Sequence, residues 1–153
     1  MPDATETRAD YFDFQPVQTR WNDNDLYGHV NNVVYYAYVD TAVNKFLVEA
    51  GGFDPHTAPV IGICPESHCN FLKPVAYPEK LEVGLRVGKL GNSSVRYEVA
   101  VFKDGEQTPA ATGYFVHVFV DRESRRPVTI PDAIRAALAG IAVEGDVRNG
   151  THG

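Results

Sequence analysis

The chain has 153 residues, of which 44 % are hydrophobic, and this is enough for one domain with a single core. Its formal net charge of −6 offers no basic surface for a phosphate backbone, which argues against nucleic acid as the main partner. No apolar run is long enough to cross a bilayer, and the first ten residues are acidic and polar, so we expect a cytoplasmic protein that does not enter a membrane.

The two ends of the chain differ in composition from its middle. Residues 1–13 and 142–153 are polar or rich in glycine, and we expect them to be flexible tails. Residues 14–141 are expected to form the single domain, which opens with a strand in the segment FQPVQTRW.

A long amphipathic helix is predicted next. From Tyr35 to Ala50 the apolar residues recur at steps of three and four, and the polar residues fall on the other half of the helical wheel. The pair Gly51-Gly52 is expected to end this helix. Either Asn31 or Asn32 is expected to cap its N-terminus.

After the helix the hydrophobic period changes to two. KLEVGLRVGKL and SVRYEVAVF each predict a strand with one buried face, and the turn residues Gly91-Asn92 and Asp104-Gly105 predict antiparallel hairpins. TGYFVHVFV is apolar on both faces and predicts a central strand. PVIGIC and SHCNFLKP predict two shorter strands separated at Pro65, and IPDAIRAALAGI predicts a closing helix with Pro131 in its first turn. The fold class is therefore α+β, with the long helix lying across an antiparallel sheet.

The segment DNDLYGHVNN, residues 23–32, is unusually polar for a stretch that leads into a buried helix. The first N–H groups of a helix have no intrahelical partner and carry a partial positive charge, so they can hold a developing oxyanion. Gly28 allows a sharp turn and a close approach of a ligand to the backbone, and Asp25 lies in a loop that can direct its carboxylate to the same point. A polarised carbonyl faced by a carboxylate is a minimal arrangement for acyl transfer.

Each of these residues also has an ordinary structural explanation. Asn31 and Asn32 can serve only as helix caps, and His29 can serve only to brace the loop. Asp23 is expected to be a surface or turn residue and not a catalyst. From the residues alone, a helix cap and a reaction site both remain open.

The segment RWNDNDLYGHVNNVVYYAYVDTA resembles the signature of the 4-hydroxybenzoyl-CoA thioesterase family of the hotdog-fold superfamily, R-[WY]-x-D-x-D-x-x-G-H-V-N-N, which precedes the central helix. The resemblance extends over roughly residues 14 to 141. It implies a hotdog fold, in which an antiparallel sheet of about five to six strands wraps around a long central helix. It also implies a homodimer joined edge to edge, or a homotetramer, whose active sites draw on both chains.

The same resemblance implies an acyl-CoA thioesterase that needs no metal and no cofactor beyond the coenzyme A of its substrate. Asp25 would act as general base on water or as nucleophile through a mixed anhydride, and the N–H of Asn32 would polarise the thioester carbonyl. Gly28 and His29 would shape the turn between them. Further substrate contacts are expected from a set of polar and aromatic residues, in part from the partner subunit: Asn31, Tyr35, His68, Ser93, Ser94, Arg125 and Arg126.

Other functions of the same fold are kept as alternatives. The segment is similar to the D-x-N-x-H-V-N-N motif of plant acyl-carrier-protein thioesterases, but Tyr27 stands where that motif has asparagine, which leaves Asp25 as the expected catalyst. A hotdog hydratase is disfavoured because only three residues separate Asp25 from His29. An acyl-CoA-binding module without turnover is the third reading.

Overall fold

The computed structural model describes residues 6–143, which form one antiparallel sheet and two α-helices. In chain order these elements are β1 (Asp13–Gln18), α1 (Asn32–Gly51), β2 (Val60–Phe71), β3 (Lys80–Leu90), β4 (Ser94–Lys103), β5 (Ala111–Asp121) and α2 (Asp132–Ala139). Two short 3₁₀ turns, Arg8–Asp10 and Trp21–Asp23, flank β1. None of the helices among residues 6–143 is both long and apolar enough to cross a membrane.

The five strands follow the order β1-β3-β4-β5-β2, and every neighbouring pair is antiparallel. The predicted hairpins are confirmed, and Gly105 adopts the positive φ of +80° in the turn between β4 and β5. The strand TGYFVHVFV is β5, an interior strand as expected, although β4 occupies the middle of the sheet. Strands β1 and β2 are the two edges.

The two short strands predicted on either side of Pro65 are in fact one strand, β2. Its register with β5 shifts between Ile63 and Glu66, so the proline lies within a bulge. A proline has no N–H to donate, and a bulge is a place where the ladder is already interrupted. The strand can therefore continue through Pro65, and the predicted boundary was wrong.

Helix α1 lies across one face of the sheet, and local signals set both of its ends. The Oδ1 atom of Asn31 accepts a hydrogen bond from the Val33 N–H at 3.0 Å, and Gly52 ends the helix in the left-handed conformation with φ of 66°. The helix buries Tyr35, Tyr38, Val39, Ala42, Val43, Phe46 and Leu47. Full burial of each valine, leucine or phenylalanine side chain in this set stabilises the fold by roughly 1.5 to 3 kcal/mol. This is the arrangement that the hotdog resemblance implies.

Helix α2 closes the domain as predicted, with Pro131 as the residue before its first turn. It packs Ile134 and Leu138, both buried, into the core against α1. The predicted closing helix is therefore confirmed, one residue later than expected.

The ordered domain extends beyond the range expected from composition. Tyr11 is 5 % exposed and lies against Gly84, while the N–H of Phe12 donates to the carbonyl of Leu85 at 3.0 Å. At the other end, the N–H of Val143 donates to the carbonyl of Val87 at 2.9 Å. Residues 8–13 and 142–143, which belong to the predicted tails 1–13 and 142–153, are thus part of the packed structure. Composition missed this because their neighbours are polar and their contacts are with β3, which is distant in the sequence. Residues 1–5 and 144–153 lie outside the described residues.

Candidate active site

The loop between β1 and α1 is closed on itself by backbone hydrogen bonds. Asn24 and Val30 form an antiparallel bridge, and the N–H of Asp25 donates to the carbonyl of His29 at 2.9 Å. The N–H of Gly28 donates to the carbonyl of Asp25 at 3.0 Å, and its φ of +83° is one that glycine adopts without a steric cost. The predicted role of Gly28 as a turn residue therefore agrees with the geometry of the loop.

The carboxylate of Asp25 is half-buried and is held by the main chain of its own loop. Its Oδ1 atom accepts a hydrogen bond from the Tyr27 N–H at 2.8 Å. Among residues 6–143, no donor is found for its second oxygen. One oxygen thus orients the group, while the other can receive a proton or attack a carbon atom.

The N-terminus of α1, a short way along the chain from Asp25, presents an open amide. Asn31 is the cap, and it accepts from the N–H groups of Val33, through its side chain, and of Val34, through its carbonyl. Asn32 is the first residue of the helix, and in the part of the chain that is described its N–H has no acceptor. Such an amide, at the positive end of a 20-residue helix, is a suitable donor to an oxygen that gains negative charge.

A cavity of about 350 Å³ brings these groups together. It is lined by Asp25, Tyr27, His29, Val30, Asn32, Tyr35, Phe71, Leu72, Lys73 and Pro74. Four residues predicted from the sequence, Asp25, His29, Asn32 and Tyr35, therefore share one cavity. Tyr35 is also a core residue, since its ring packs edge-on against Phe71 with centroids 5.0 Å apart.

The far wall of the cavity was not identified from the sequence. It consists of residues 71–74, which leave the end of β2, and it is joined to the loop by the Val30 N–H, which donates to the Val75 carbonyl at 2.8 Å. Lys73 brings a positive charge, and its ammonium group is hydrogen-bonded to Glu106 at 2.9 Å and to the Thr108 hydroxyl at 2.8 Å. Periodicity gave no signal for this wall, because it depends on where β2 ends relative to α1.

The other predicted substrate contacts do not line the cavity of their own chain. Asn31 caps the helix, and His68 lies on β2, stacked on Tyr114 with ring centroids 5.6 Å apart. Ser94 is the first residue of β4, and Ser93 lies in the turn that precedes it. Arg125 and Arg126 lie in the exposed turn after β5, where Arg125 adopts a positive φ of 63°. Within one chain these residues form no common site with Asp25.

Asp23 was predicted to be a surface or turn residue; it does lie in the 3₁₀ turn Trp21–Asp23, but it is buried and not at the surface. Only 1 % of it is exposed, and its carboxylate accepts hydrogen bonds from Arg20 and from the Tyr38 hydroxyl. A buried carboxylate is tolerated where charged or polar donors replace its water. Recognising this from the sequence requires knowing that the loop and α1 meet at Tyr38.

Comparisons with known proteins agree with this fold. The family described as the thioesterase-like superfamily matches residues 19–138. The crystal structure of the PA5185 protein from Pseudomonas aeruginosa is 54 % identical, with a TM-score of 0.89, covering 91 % of this chain and 97 % of that one.

Two more distant structures share the fold. Slr0204, a 1,4-dihydroxy-2-naphthoyl-CoA thioesterase from Synechocystis, is 14 % identical, with a TM-score of 0.74 and coverage of 82 % of this chain and 94 % of that one. BH1999 gentisyl-coenzyme A thioesterase is 22 % identical, with a TM-score of 0.73 and coverage of 82 % and 99 %. The family match spans most of the chain, and the chain therefore belongs to the thioesterase-like superfamily, as a hotdog-fold thioester hydrolase.

Proposed function

We propose that this protein hydrolyses the thioester bond of an acyl- or aryl-coenzyme A to the free acid and coenzyme A. The observation that carries the proposal is that Asp25 and Asn32 line the same cavity, at the open end of α1. A carboxylate with one unoccupied oxygen and a helix amide without an acceptor are the two groups that acyl transfer from a thioester requires.

In the proposed reaction, the thioester oxygen accepts a hydrogen bond from the Asn32 N–H. Asp25 then removes a proton from a water molecule as that water attacks the carbonyl carbon, or it attacks the carbon itself and forms a mixed anhydride that water cleaves. In either case the carbon–sulfur bond breaks, and the thiolate of coenzyme A takes up a proton. A single oxyanion donor is typically worth about 10² to 10³ in rate. These steps use no metal and no cofactor apart from the substrate's own coenzyme A.

The lining of the cavity favours an aromatic or short acyl group. Tyr27, Tyr35 and Phe71 provide aromatic surface, and a volume of about 350 Å³ is at the small end of ligand pockets. Two proteins with the same fold carry names that describe aryl-CoA thioesterases, which is in keeping with this choice. An acyl-carrier-protein thioester is the alternative substrate, and a non-catalytic acyl-CoA-binding module is the alternative function.

The edge strand β2 supports the proposal of a homodimer, or of a homotetramer built from such dimers. Its backbone edge is unpaired among the described residues, and it exposes the apolar side chains Ile63 and Phe71. Edges of this kind pair readily with another strand. Because Phe71 also lines the cavity, a second copy paired along β2 would add residues to the site.

The proposal is tested by thiol release from a panel of acyl-CoA, aryl-CoA and acyl-carrier-protein thioesters. Replacing Asp25→Asn keeps the size of the side chain but removes the base or nucleophile, so we expect kcat to fall by at least roughly 10². Asp104→Asn in the exposed turn after β4 is the matched control and should leave kcat unchanged. Equal rates for wild type and Asp25→Asn would remove Asp25 from the chemistry, and binding without any thiol release would favour the binding module.

A further inference from the structure

A second carboxylate, from Asp23, lies in the same loop as Asp25 but does not line the cavity. Its Oδ2 atom accepts from the Tyr38 hydroxyl at 2.6 Å and from the Arg20 N–H at 2.8 Å. Its Oδ1 atom accepts from the Arg20 guanidinium group at 3.1 and 3.2 Å. We call Asp23, Arg20 and Tyr38 the Asp23 network.

The Asp23 network is built around an ionised group. Burial alone would raise the pKa of the Asp23 carboxyl, but the hydrogen bonds from Tyr38 and Arg20 outweigh burial and hold the pKa below its usual value. Hydrogen bonds to an ionised acceptor are shorter and stronger than those between neutral groups. Since Tyr38 lies in the second turn of α1, the network ties the loop firmly to the helix.

The main chain of Asp23 makes a second connection to the same helix. Its carbonyl accepts from the N–H of Asn31, the cap of α1, at 2.9 Å. The bridge between Asn24 and Val30 follows directly, and it closes the loop that contains Asp25. Asp23 thus connects the loop between β1 and α1 to the helix at two points. Its main chain reaches the cap of α1, and its side chain reaches the second turn. A shift of Asp23 relative to Tyr38 must also shift Asp25 relative to the Asn32 amide.

We propose that Asp23 and Tyr38 are positioning residues, whose hydrogen bond holds the loop on α1 so that the Asp25 carboxylate stays aligned with the amide that opens the helix. This inference rests on the proposed function of Asp25. Neither Asp23 nor Tyr38 touches the cavity, so both act through Asp25. Catalytic groups must be held to within about 0.5 Å, and a displacement of about 1 Å can cost about 10² in rate.

The informative variant is Tyr38→Phe, because it removes one hydroxyl and keeps the ring in the core. The matched control is Tyr97→Phe, which removes another buried hydroxyl, located 3.4 Å from Nδ1 of His117 and away from the cavity. Both proteins are assayed at a temperature well below their unfolding midpoints, on a thioester that the wild type hydrolyses. Hydrogen exchange of the amides of residues 24–31, measured by NMR, gives a second readout that does not depend on activity.

We expect Tyr38→Phe to lower kcat by about 10- to 100-fold with KM changed by less than about threefold, because alignment is lost while substrate contacts remain. Tyr97→Phe should leave both constants within about threefold of wild type. In an Asp25→Asn background, Tyr38→Phe should cause no further loss of kcat, since it acts through Asp25. Amide exchange in residues 24–31 should become faster in Tyr38→Phe and not in Tyr97→Phe.

Several outcomes would overturn the inference while leaving thioester hydrolysis intact. These are a wild-type kcat in Tyr38→Phe, equal losses of kcat in the two tyrosine variants, or a loss that adds in full to that of Asp25→Asn. If the wild type releases thiol from no thioester, it is the proposed function that fails. The exchange measurement then decides alone, and unchanged exchange in Tyr38→Phe would reject the positioning role of the network.

Discussion

A buried histidine on β5 should make the stability of this fold depend strongly on pH. His117 is 2 % exposed and is packed among the rings of Tyr97, Phe115 and Phe119. Burial lowers its pKa from 6.5 to about 4, because the charged imidazolium loses its hydration in this environment. The folded protein therefore keeps His117 neutral at pH values where the unfolded chain binds a proton.

The size of the effect follows from the two pKa values. A difference from 6.5 to about 4 corresponds to about 3 kcal/mol of unfolding free energy. The pKa in the folded state is the lower one, so the unfolded chain takes up a proton first as the pH falls. The free energy of unfolding therefore keeps its full value above pH 6.5 and decreases by this amount as the pH falls from there to about 4. The free energy of unfolding of a small domain is typically about 5 to 15 kcal/mol, so the protonation of this one residue changes a large fraction of it.

The measurement is urea unfolding followed by circular dichroism between pH 7.5 and pH 4, on wild type and His117→Gln at one fixed protein concentration. Glutamine keeps a polar group near the Tyr97 hydroxyl but does not titrate, and the comparison cancels the contribution of the carboxylates. We expect the wild type to lose about 3 kcal/mol more than the variant across this range. Parallel curves for the two proteins would refute the assignment of this pH dependence to His117.

Substitutions at three further positions test the geometry of the loop and the sheet. Gly28→Ala places a side chain at φ of +83°, so we expect a loss of about 1 kcal/mol of stability, seen in urea unfolding, and a lower kcat because Asp25 is displaced. Asn31→Ala removes the cap of α1 and should cost about 1 kcal/mol, whereas Asn31→Asp should cost little; equal losses in both would argue against the side-chain cap. Gly113→Ala brings a Cβ atom to 1.9 Å from the His68 carbonyl, so it must force β2 and β5 apart, and a thermal midpoint like that of wild type would contradict the observed register.

The parts of the fold that local signals determine were predictable from the sequence. The cap expected at Asn31 or Asn32, the stop expected at Gly51-Gly52 and the alternation in β3 and β4 all act within a few residues. The structure places the cap at Asn31 and the left-handed C-cap at Gly52, and both strands lie where they were expected. The prediction of two strands separated at Pro65 failed because the rule that excludes proline from strands does not hold at a bulge. A bulge is a property of two paired strands, so one strand's sequence does not reveal it. The prediction of a flexible tail at Tyr11 failed for a related reason, since its partner Gly84 lies far away in the sequence.

The candidate site likewise has one part that the sequence predicts and one part that depends on contacts between distant segments. Asp25, His29 and Asn32 lie within eight residues, so the sequence alone brings them to one loop and one helix end. The opposite wall at residues 71–74 depends on the junction between β2 and α1, which no local pattern reveals. The role of Asp23 depends likewise on its meeting with Tyr38, fifteen residues further along the chain.

The hydrogen bond that steadies Asp25 comes from the main chain of Tyr27, and this has a consequence for engineering. The Tyr27 side chain is 87 % exposed at the mouth of the cavity and takes no part in that bond. Any amino acid except proline supplies the same N–H. Residue 27 is thus a position at which the entrance can be widened, narrowed or recharged to redirect substrate choice, while the carboxylate that we propose as the catalytic group keeps its support.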